Sequence, residues 1–234
     1  MRTLFNIIFP RYCLLCKKSE INEDLLCKIC TQELPYLRVH HCQICAIPLK
    51  NTAVDYCGSC LEKPPAFDHT IALFEYKEPV NHFITQLKFN QQLVYGELLA
   101  RLLADKIKAL SSDELPECLI PVPLHTHRLR ERGYNQALCI ARSLAKQLHI
   151  PLNYNDCLRF KATEAQSGLK VQARKNNVRN AFRLNRKIPF ESVAIIDDVM
   201  TTGQTAHEFA RLLKKNGVKR VEIWCGARVL LGNS

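Results

Sequence analysis

No run of apolar residues in this 234-residue chain approaches the length needed to span a bilayer. The apolar opening Leu4-Phe5-Asn6-Ile7-Ile8-Phe9 runs straight into Pro10 and Cys13. It lacks a small-residue cleavage site, which argues against a signal peptide; a short apolar helix packed on the next module is the expectation. Low-complexity segments are absent, as is any internal repeat beyond the cysteine pairs. The Gly-x4-Gly-Lys-Ser/Thr string of a nucleoside-triphosphatase loop is missing too. Acidic side chains are few, 22 Asp and Glu against 33 Lys and Arg, leaving a formal net charge of +11. Such a balance favours a polyanionic partner without choosing among DNA, RNA and small phosphorylated ligands. At 47% apolar, the chain can bury one full core plus a small appendage.

The 12 cysteines are unevenly spread. Cys13/Cys16, Cys27/Cys30, Cys42/Cys45 and Cys57/Cys60 form four Cys-x-x-Cys pairs, a spacing suited to zinc. Tandem pairing of neighbours, giving two four-cysteine ribbons, is the simplest connectivity; pairing the first with the third and the second with the fourth also satisfies the spacing. Either way Zn²⁺ would supply folding energy that a segment this small lacks. Cys118, Cys139, Cys157 and Cys225 stand singly and read as core residues. This usage implies a reduced, cytoplasmic protein.

Lys63-Pro64-Pro65 reads as a linker. Strand-like and helical patterns then follow: a strand at 70–76, a short amphipathic helix at 83–89, and a longer one with Leu93, Leu98, Leu99, Leu102, Leu103, Ile107 and Leu110 on an apolar face. Beyond these the chain alternates. A short buried strand at 118–123 precedes a helix over 135–148 with Leu138, Ala141, Ala145 and Leu148 inward. A strand at 192–197 precedes a helix over 205–216 with Ala206, Phe209, Ala210 and Leu213 inward and Gly217 as its stop. A last strand covers 221–225. Strands alternating with helices imply an α/β fold with a parallel sheet covered on both faces.

The densest chemistry lies in Asp197-Asp198-Val199-Met200-Thr201-Thr202-Gly203-Gln204-Thr205, between an apolar strand and a helix. Ligands of open α/β sheets sit beyond the carboxyl ends of the strands. Gly203 would let the backbone approach an anion, Thr201, Thr202 and Thr205 add hydroxyl donors, and the helix start favours negative charge. Two acids beside an anion site make sense for a sugar phosphate: the loop takes the phosphate and the acids accept bonds from ribose hydroxyls. Helix capping alone would explain one polar residue of the string, not all of it.

This string resembles the phosphoribosyl-pyrophosphate (PRPP) signature of type I phosphoribosyltransferases. The wider pattern resembles the ComF/GntX family: the paired cysteines, Gln86-Leu87-Lys88-Phe89, Pro121-Val122-Pro123-Leu124, Arg132-Gly133-Tyr134-Asn135-Gln136, and Arg174-Lys175-Asn176-Asn177 with Asn180-Ala181-Phe182. Tyr134 stands where the family more often has Phe. The resemblance implies a double zinc ribbon over 1–62, a hood or linker segment over 63–90 and a phosphoribosyltransferase-like domain over 91–234. It implies PRPP held with Mg²⁺, and a pyrophosphate loop that includes Arg128 and Arg132. ComF proteins are tied to natural competence, acting on incoming single-stranded DNA with the competence machinery at the inner side of the membrane. GntX-type relatives are linked to carbon-source use.

Residues 157–190 hold nine Lys or Arg and one acid, Glu164. Arg174 and Lys175 there would belong to a lid over an anionic ligand, or to a nucleic-acid surface with Phe160 and Phe182 as stacking candidates. Burial is the more common fate for Phe182. His125 and His127, spaced i,i+2 in a loop without a Cys or His partner nearby, are not expected to ligate metal. Two functions from different classes follow. One is a DNA-handling competence protein that keeps the fold for binding. The other is a metabolic transferase moving ribosyl phosphate from PRPP to an acceptor that no residue obviously selects.

Overall fold

The computed structural model describes residues 12–18, 25–37, 40–110, 115–161 and 180–230. The expected N-terminal apolar helix, Arg174, Lys175, Asn176 and Asn177 lie outside the described residues. The chain divides into two compact units, residues 1–35 and 36–234.

The smaller unit carries the first four paired cysteines and, among its described residues, the short helix α1 (Lys28–Gln32), whose N-cap Cys27 accepts from the Cys30 N–H. The larger unit repeats the plan: Cys57 stands at the N-cap of α2 (Gly58–Glu62). In both, the residue after the second cysteine turns left-handed, Lys17 at φ 59° and Ala46 at φ 57°. Its N–H returns to the first cysteine's carbonyl, at 3.0 Å in Lys17→Cys13 and 2.8 Å in Ala46→Cys42.

The larger unit is built on β1 (His69–Glu75), β2 (Cys118–Pro121), β5 (Ser192–Met200) and β6 (Arg220–Arg228), a four-stranded sheet in the order β1-β6-β5-β2. All three pairings are parallel. Val193-Ala194-Ile195-Ile196 is fully buried, as expected of a strand covered on both faces. On one face, Ile195, Ile223 and Cys225 share a core with Phe209, Ala210 and Leu213 of α7 (Gln204–Lys215). On the other, Gly226 meets Leu99 of α4 (Val94–Leu110), which packs with α6 (Gln136–Leu148). The second ribbon belongs to the first of these cores, through Cys42, Cys45, Ala46 and Cys60. The segment expected as hood or linker contributes the edge strand β1 and α3 (Val80–Phe89), with Phe83, Ile84 and Leu87 fully buried.

Several elements differ in detail from expectation. Strand β5 runs on to Met200, so Asp197 to Met200 are strand rather than loop, because β6 keeps pairing with them as far as Met200↔Arg228. Leu93 and Leu110 are exposed, not inward: they sit at the two ends of α4, beyond what it packs against. The inward stripe of α6 is Ala137, Ile140, Ala141, Leu144 and Leu148, while Leu138 and Ala145 are half-buried. At 100° per residue, a stripe assigned one position out leaves two of its members on the flank. The described ends of the basic segment are not irregular. β3 (Cys157–Arg159) and β4 (Phe182–Leu184) form an antiparallel ribbon, and Phe182 is buried against Phe209 with ring centroids 4.8 Å apart.

Candidate functional site

At the carboxyl end of β5, Val122, Asp197, Val199, Thr201, Gly203 and Thr205 line a small open cleft. Gly203 is the N-cap of the twelve-residue α7 and has φ 76°, which favours glycine. A Cβ there would meet the Met200 methyl at 2.8 Å, so the tip of that side chain would have to move aside, and the left-handed backbone is the main constraint on this position. Thr202 Oγ1 accepts from Gln204 N at 3.4 Å, and the first bond within the helix is His207 N–H to the Gly203 carbonyl. The opening N–H groups of α7 therefore face the cleft end, where the helix dipole favours an anion.

The two acids separate, as alternation along a strand requires. Asp197 is half-buried and lines the cleft. Asp198 is 2% exposed. Its Oδ2 is ion-paired with Lys88 from the end of α3, and its Oδ1 accepts from Gln136 Nε2 at 3.2 Å. Burial raises both carboxyl groups, but the outcomes diverge. Asp197 ends well above the usual carboxylate range, pushed further by the charge of Asp198. In Asp198 the Lys88 ammonium and the bonds from Lys88, Asp197 and Gln136 outweigh burial and hold it below that range. Burial would lower the Lys88 ammonium, but its facing acids raise it.

The sequence around Gln136 exists to hold this arrangement. Helix α5 (Thr126–Arg132) starts at His125, whose Nδ1 accepts from His127 N at 3.2 Å, and ends at Gly133 with φ 81°. The Tyr134 hydroxyl donates to the Leu87 carbonyl, anchoring α3 next to Lys88. Asn135 caps α6: its Oδ1 accepts from Ala137 N at 3.0 Å and its Nδ2 donates to Val122 O at 3.0 Å. Arg132 donates to Gln136 Oε1, which leaves the Gln136 amide nitrogen for Asp198. Its guanidinium also lies 5.4 Å from the ring centre of exposed Phe89. Arg132 is depressed by burial. Arg128, one turn earlier, and Arg159 of β3 are near enough to repel, and Asp197 attracts Arg159. The structure therefore brings Asp197, Val199, Met200, Thr201, Gly203 and Thr205 to one cleft, with Arg128 and Arg132 on the neighbouring helix. Asp198, Thr202 and Gln204 stand behind it or at its edge. Lys88 and Gln136 stood in the sequence only as members of family strings, and Arg159 and Arg228 were given no role of their own.

The cysteines form two sets, Cys13/Cys16/Cys27/Cys30 and Cys42/Cys45/Cys57/Cys60, each with its Sγ atoms within 4.8 Å of one another. This is the tandem connectivity. Tetrahedral zinc with Zn–S of about 2.3 Å puts sulfurs about 3.8 Å apart, and Cys16–Cys27 and Cys45–Cys57 stand at 3.8 and 3.7 Å. In the first set burial raises Cys13, but main-chain N–H groups of Cys27, Cys16 and Leu15 bring it to about 6, while burial and its neighbours push Cys30 to about 12. Four thiolates so close need a cation, and zinc would supply that charge while pinning each knuckle. By contrast burial pushes Cys118 up to about 11 and Cys157 and Cys225 to about 12, as suits inert core thiols.

Comparison with known proteins agrees with both halves. A double zinc ribbon domain model matches residues 4–61 and a phosphoribosyl transferase domain model matches 135–229. The chain is 36% identical to Competence protein F of Haemophilus influenzae, over 92% of this chain and 96% of that protein. It is 33% identical to DNA utilization protein YhgH of Salmonella typhimurium, over 94% and 98%. Competence protein ComFC of Bacillus subtilis is 26% identical, over 88% and 89%. Among solved structures, a purine phosphoribosyltransferase from Pyrococcus horikoshii covers 67% of this chain and 76% of its own, at 20% identity and TM-score 0.32. With a parallel sheet flanked by helices, two four-cysteine sites and this similarity over nearly its whole length, the chain belongs to the ComF family of competence and DNA utilization proteins.

Proposed function

We propose that the cleft binds PRPP and that the protein works in the cytoplasm in natural transformation, handling incoming single-stranded DNA alongside the competence machinery at the inner membrane face. The observation that carries the small-molecule reading is the cleft itself: a left-handed Gly203 at the start of α7 with Asp197 lining the same cavity. The opening N–H groups of α7 and the hydroxyls of Thr201 and Thr205 take the 5-phosphate. Asp197 accepts from a ribose hydroxyl. Asp198, neutralised by Lys88, fixes the strand end rather than reaching the sugar. Arg128 and Arg132, with Arg174 and Lys175, stabilise the pyrophosphate. Mg²⁺ suits this donor set, since it is typically held by one or two carboxylates plus substrate phosphates; bound there, it would supply charge at the pyrophosphate.

The DNA reading is supported by net charge and by the β3–β4 ribbon. Phe160 is exposed with the Arg183 guanidinium 6.0 Å from its ring centre, and exposed Tyr154 has Arg142 at 5.4 Å. Exposed aromatics interleaved with cations suit stacking on single strands. Among the described residues no helix is long and apolar enough to cross a membrane. The competing reading, transfer of ribosyl phosphate to an acceptor, is favoured by the transferase domain match over 135–229.

Calorimetry with PRPP and Mg²⁺ tests the cleft: Asp197→Asn should weaken PRPP and spare inorganic phosphate, and unchanged PRPP affinity would sink the assignment. For DNA, log affinity should fall by roughly 0.7 per contacted phosphate for each tenfold rise in salt. Neutralising Arg174, Lys175 and Arg179 together should flatten that slope. Absence of single-strand binding at about physiological ionic strength removes the DNA reading, and pyrophosphate release with a supplied acceptor supports the transferase.

A further inference from the structure

Arg228 ends β6 and is 4% exposed, yet its partners are main-chain carbonyls. Its Nε donates to Cys45 O at 2.9 Å. Its Nη1 reaches Met200 O at 3.1 Å, Val229 O at 2.7 Å, and Thr201 O. Met200 closes β5 and Thr201 opens the anion loop. Cys45 is the second cysteine of the knuckle that begins the second zinc set. One guanidinium therefore clamps a zinc knuckle to the first residues of the anion loop. The fork geometry is what permits it: a lysine ammonium in this place has no second planar nitrogen to span two chain segments. The same knuckle is pinned from its other side, where Thr70 Oγ1 donates to Ile44 O at 2.6 Å and Thr70 N to Gln43 O at 3.1 Å.

Burying a charge among neutral acceptors is costly unless every bond is kept. Here the Cys45 carbonyl points correctly only while the knuckle keeps its turn, with Ala46 at φ 57° and its N–H on the Cys42 carbonyl. Gathering of the four thiolates by metal maintains that turn. Loss of zinc would remove one of the acceptors of a buried cation, and the cation's other partners are the carbonyls that orient the loop. An anion on the loop would in turn favour the buried positive charge behind it.

We propose that Arg228 is a positioning residue coupling the second zinc site to the anion loop, so that zinc at Cys42/Cys45/Cys57/Cys60 raises affinity for the sugar phosphate and the bound sugar phosphate retards zinc loss. The inference rests on the sugar-phosphate reading of the loop; the coupling of the two affinities is reciprocal by thermodynamic necessity, and slower zinc loss is its expected kinetic expression.

The test uses the full zinc-loaded chain. In wild type, chelator-driven zinc release is followed with and without saturating PRPP and Mg²⁺. One of the two zinc ions should leave about tenfold more slowly with PRPP, the scale of ordinary site-to-site coupling, and the other should be unaffected. In Arg228→Lys, which keeps the charge and loses the fork, both ions should remain bound but the PRPP effect should vanish. A residue that merely stabilised the fold would not remove a ligand-dependent difference in zinc release. Hydrogen exchange over residues 199–206, measured without ligand, should quicken in Arg228→Lys while α4 stays protected. If calorimetry shows PRPP binding and wild-type zinc release ignores it, the coupling is overturned. If PRPP does not bind at all, the sugar-phosphate reading fails, and the exchange measurement alone judges the tether: unchanged loop exchange in Arg228→Lys overturns it.

Discussion

Removing Lys88 should cost more than removing the carboxylate it neutralises. Asp198 has 3% of its side chain exposed and Lys88 has 25%. Lys88→Met leaves a buried carboxylate with only its bonds from Gln136 and Asp197, and breaking a buried pair in this way costs about 3–5 kcal/mol. Those remaining bonds place the loss at the lower end. Asp198→Asn leaves an ammonium that can reach water and an amide that can still accept from Gln136, so about 1–2 kcal/mol is expected, the range for an imperfectly satisfied polar group. For a chain of this length 1 kcal/mol moves Tm by about 2–4 °C, so Lys88→Met should lower Tm by roughly 6–12 °C and Asp198→Asn by one to two thirds of that. The double variant should recover most of the Lys88→Met loss. The pH dependence follows from the signs. The folded Asp198 lies below its ordinary value, so in wild type the pair's contribution is present above the unfolded carboxylate range and lost as pH falls through the folded value. In Lys88→Met burial raises Asp198 instead, a penalty felt at neutral pH that fades as pH falls towards about 4. The gap between the two proteins should therefore narrow on acidification. Thermal melts of the three variants at neutral and acidic pH decide it; Asp198→Asn costing as much as Lys88→Met, or a gap that widens in acid, would refute the reasoning.

The purified protein should hold two zinc ions per chain, and Cys13→Ser and Cys42→Ser should each lose one by metal analysis, since the sulfurs form two separate sets. Gly203→Ala should cost about 1–2 kcal/mol from the left-handed backbone alone and weaken PRPP binding, with denaturant melts and calorimetry as the readouts. Asn135→Ala should cost about 1 kcal/mol through loss of the α6 cap, together with the bond to Val122, as measured by urea unfolding. Phe182→Ala should destabilise by about 3–5 kcal/mol. Phe160→Ala should leave stability within about 0.5 kcal/mol and weaken single-strand binding instead, by about 1–3 kcal/mol in a fluorescence titration.

How far the fold could be read depended on the range of the interactions involved. Strand β5, helix α7 and the buried set Ala206, Phe209, Ala210 and Leu213 follow from local periodicity, and all are present. The ends of elements were less legible. Nothing local says that β5 continues through Asp197 to Met200; its pairing to β6, more than twenty residues on, decides that. The exposure of Leu93 and Leu110 likewise depends on where the neighbours of α4 stop. Cysteine spacing allowed two connectivities, and only the gathered sulfurs separate them.

The same logic explains why the anion string was conspicuous while its support was not. Gly203, the threonines and the acids are contiguous, and each residue type hints at its own chemistry. Lys88, Gln136 and Arg228 are ordinary residues until the fold brings them to Asp198 and to the loop carbonyls, across 110, 62 and 28 positions of chain. The string Arg132-Gly133-Tyr134-Asn135-Gln136 read as a family mark with phosphate-binding arginines. In the structure four of its five residues are spent on placement: a left-handed turn, an anchor on α3, a helix cap and a donor to Asp198. Arg132 itself spends one nitrogen on Gln136. A family motif can therefore owe its composition mostly to the geometry it imposes on an acid more than sixty residues away.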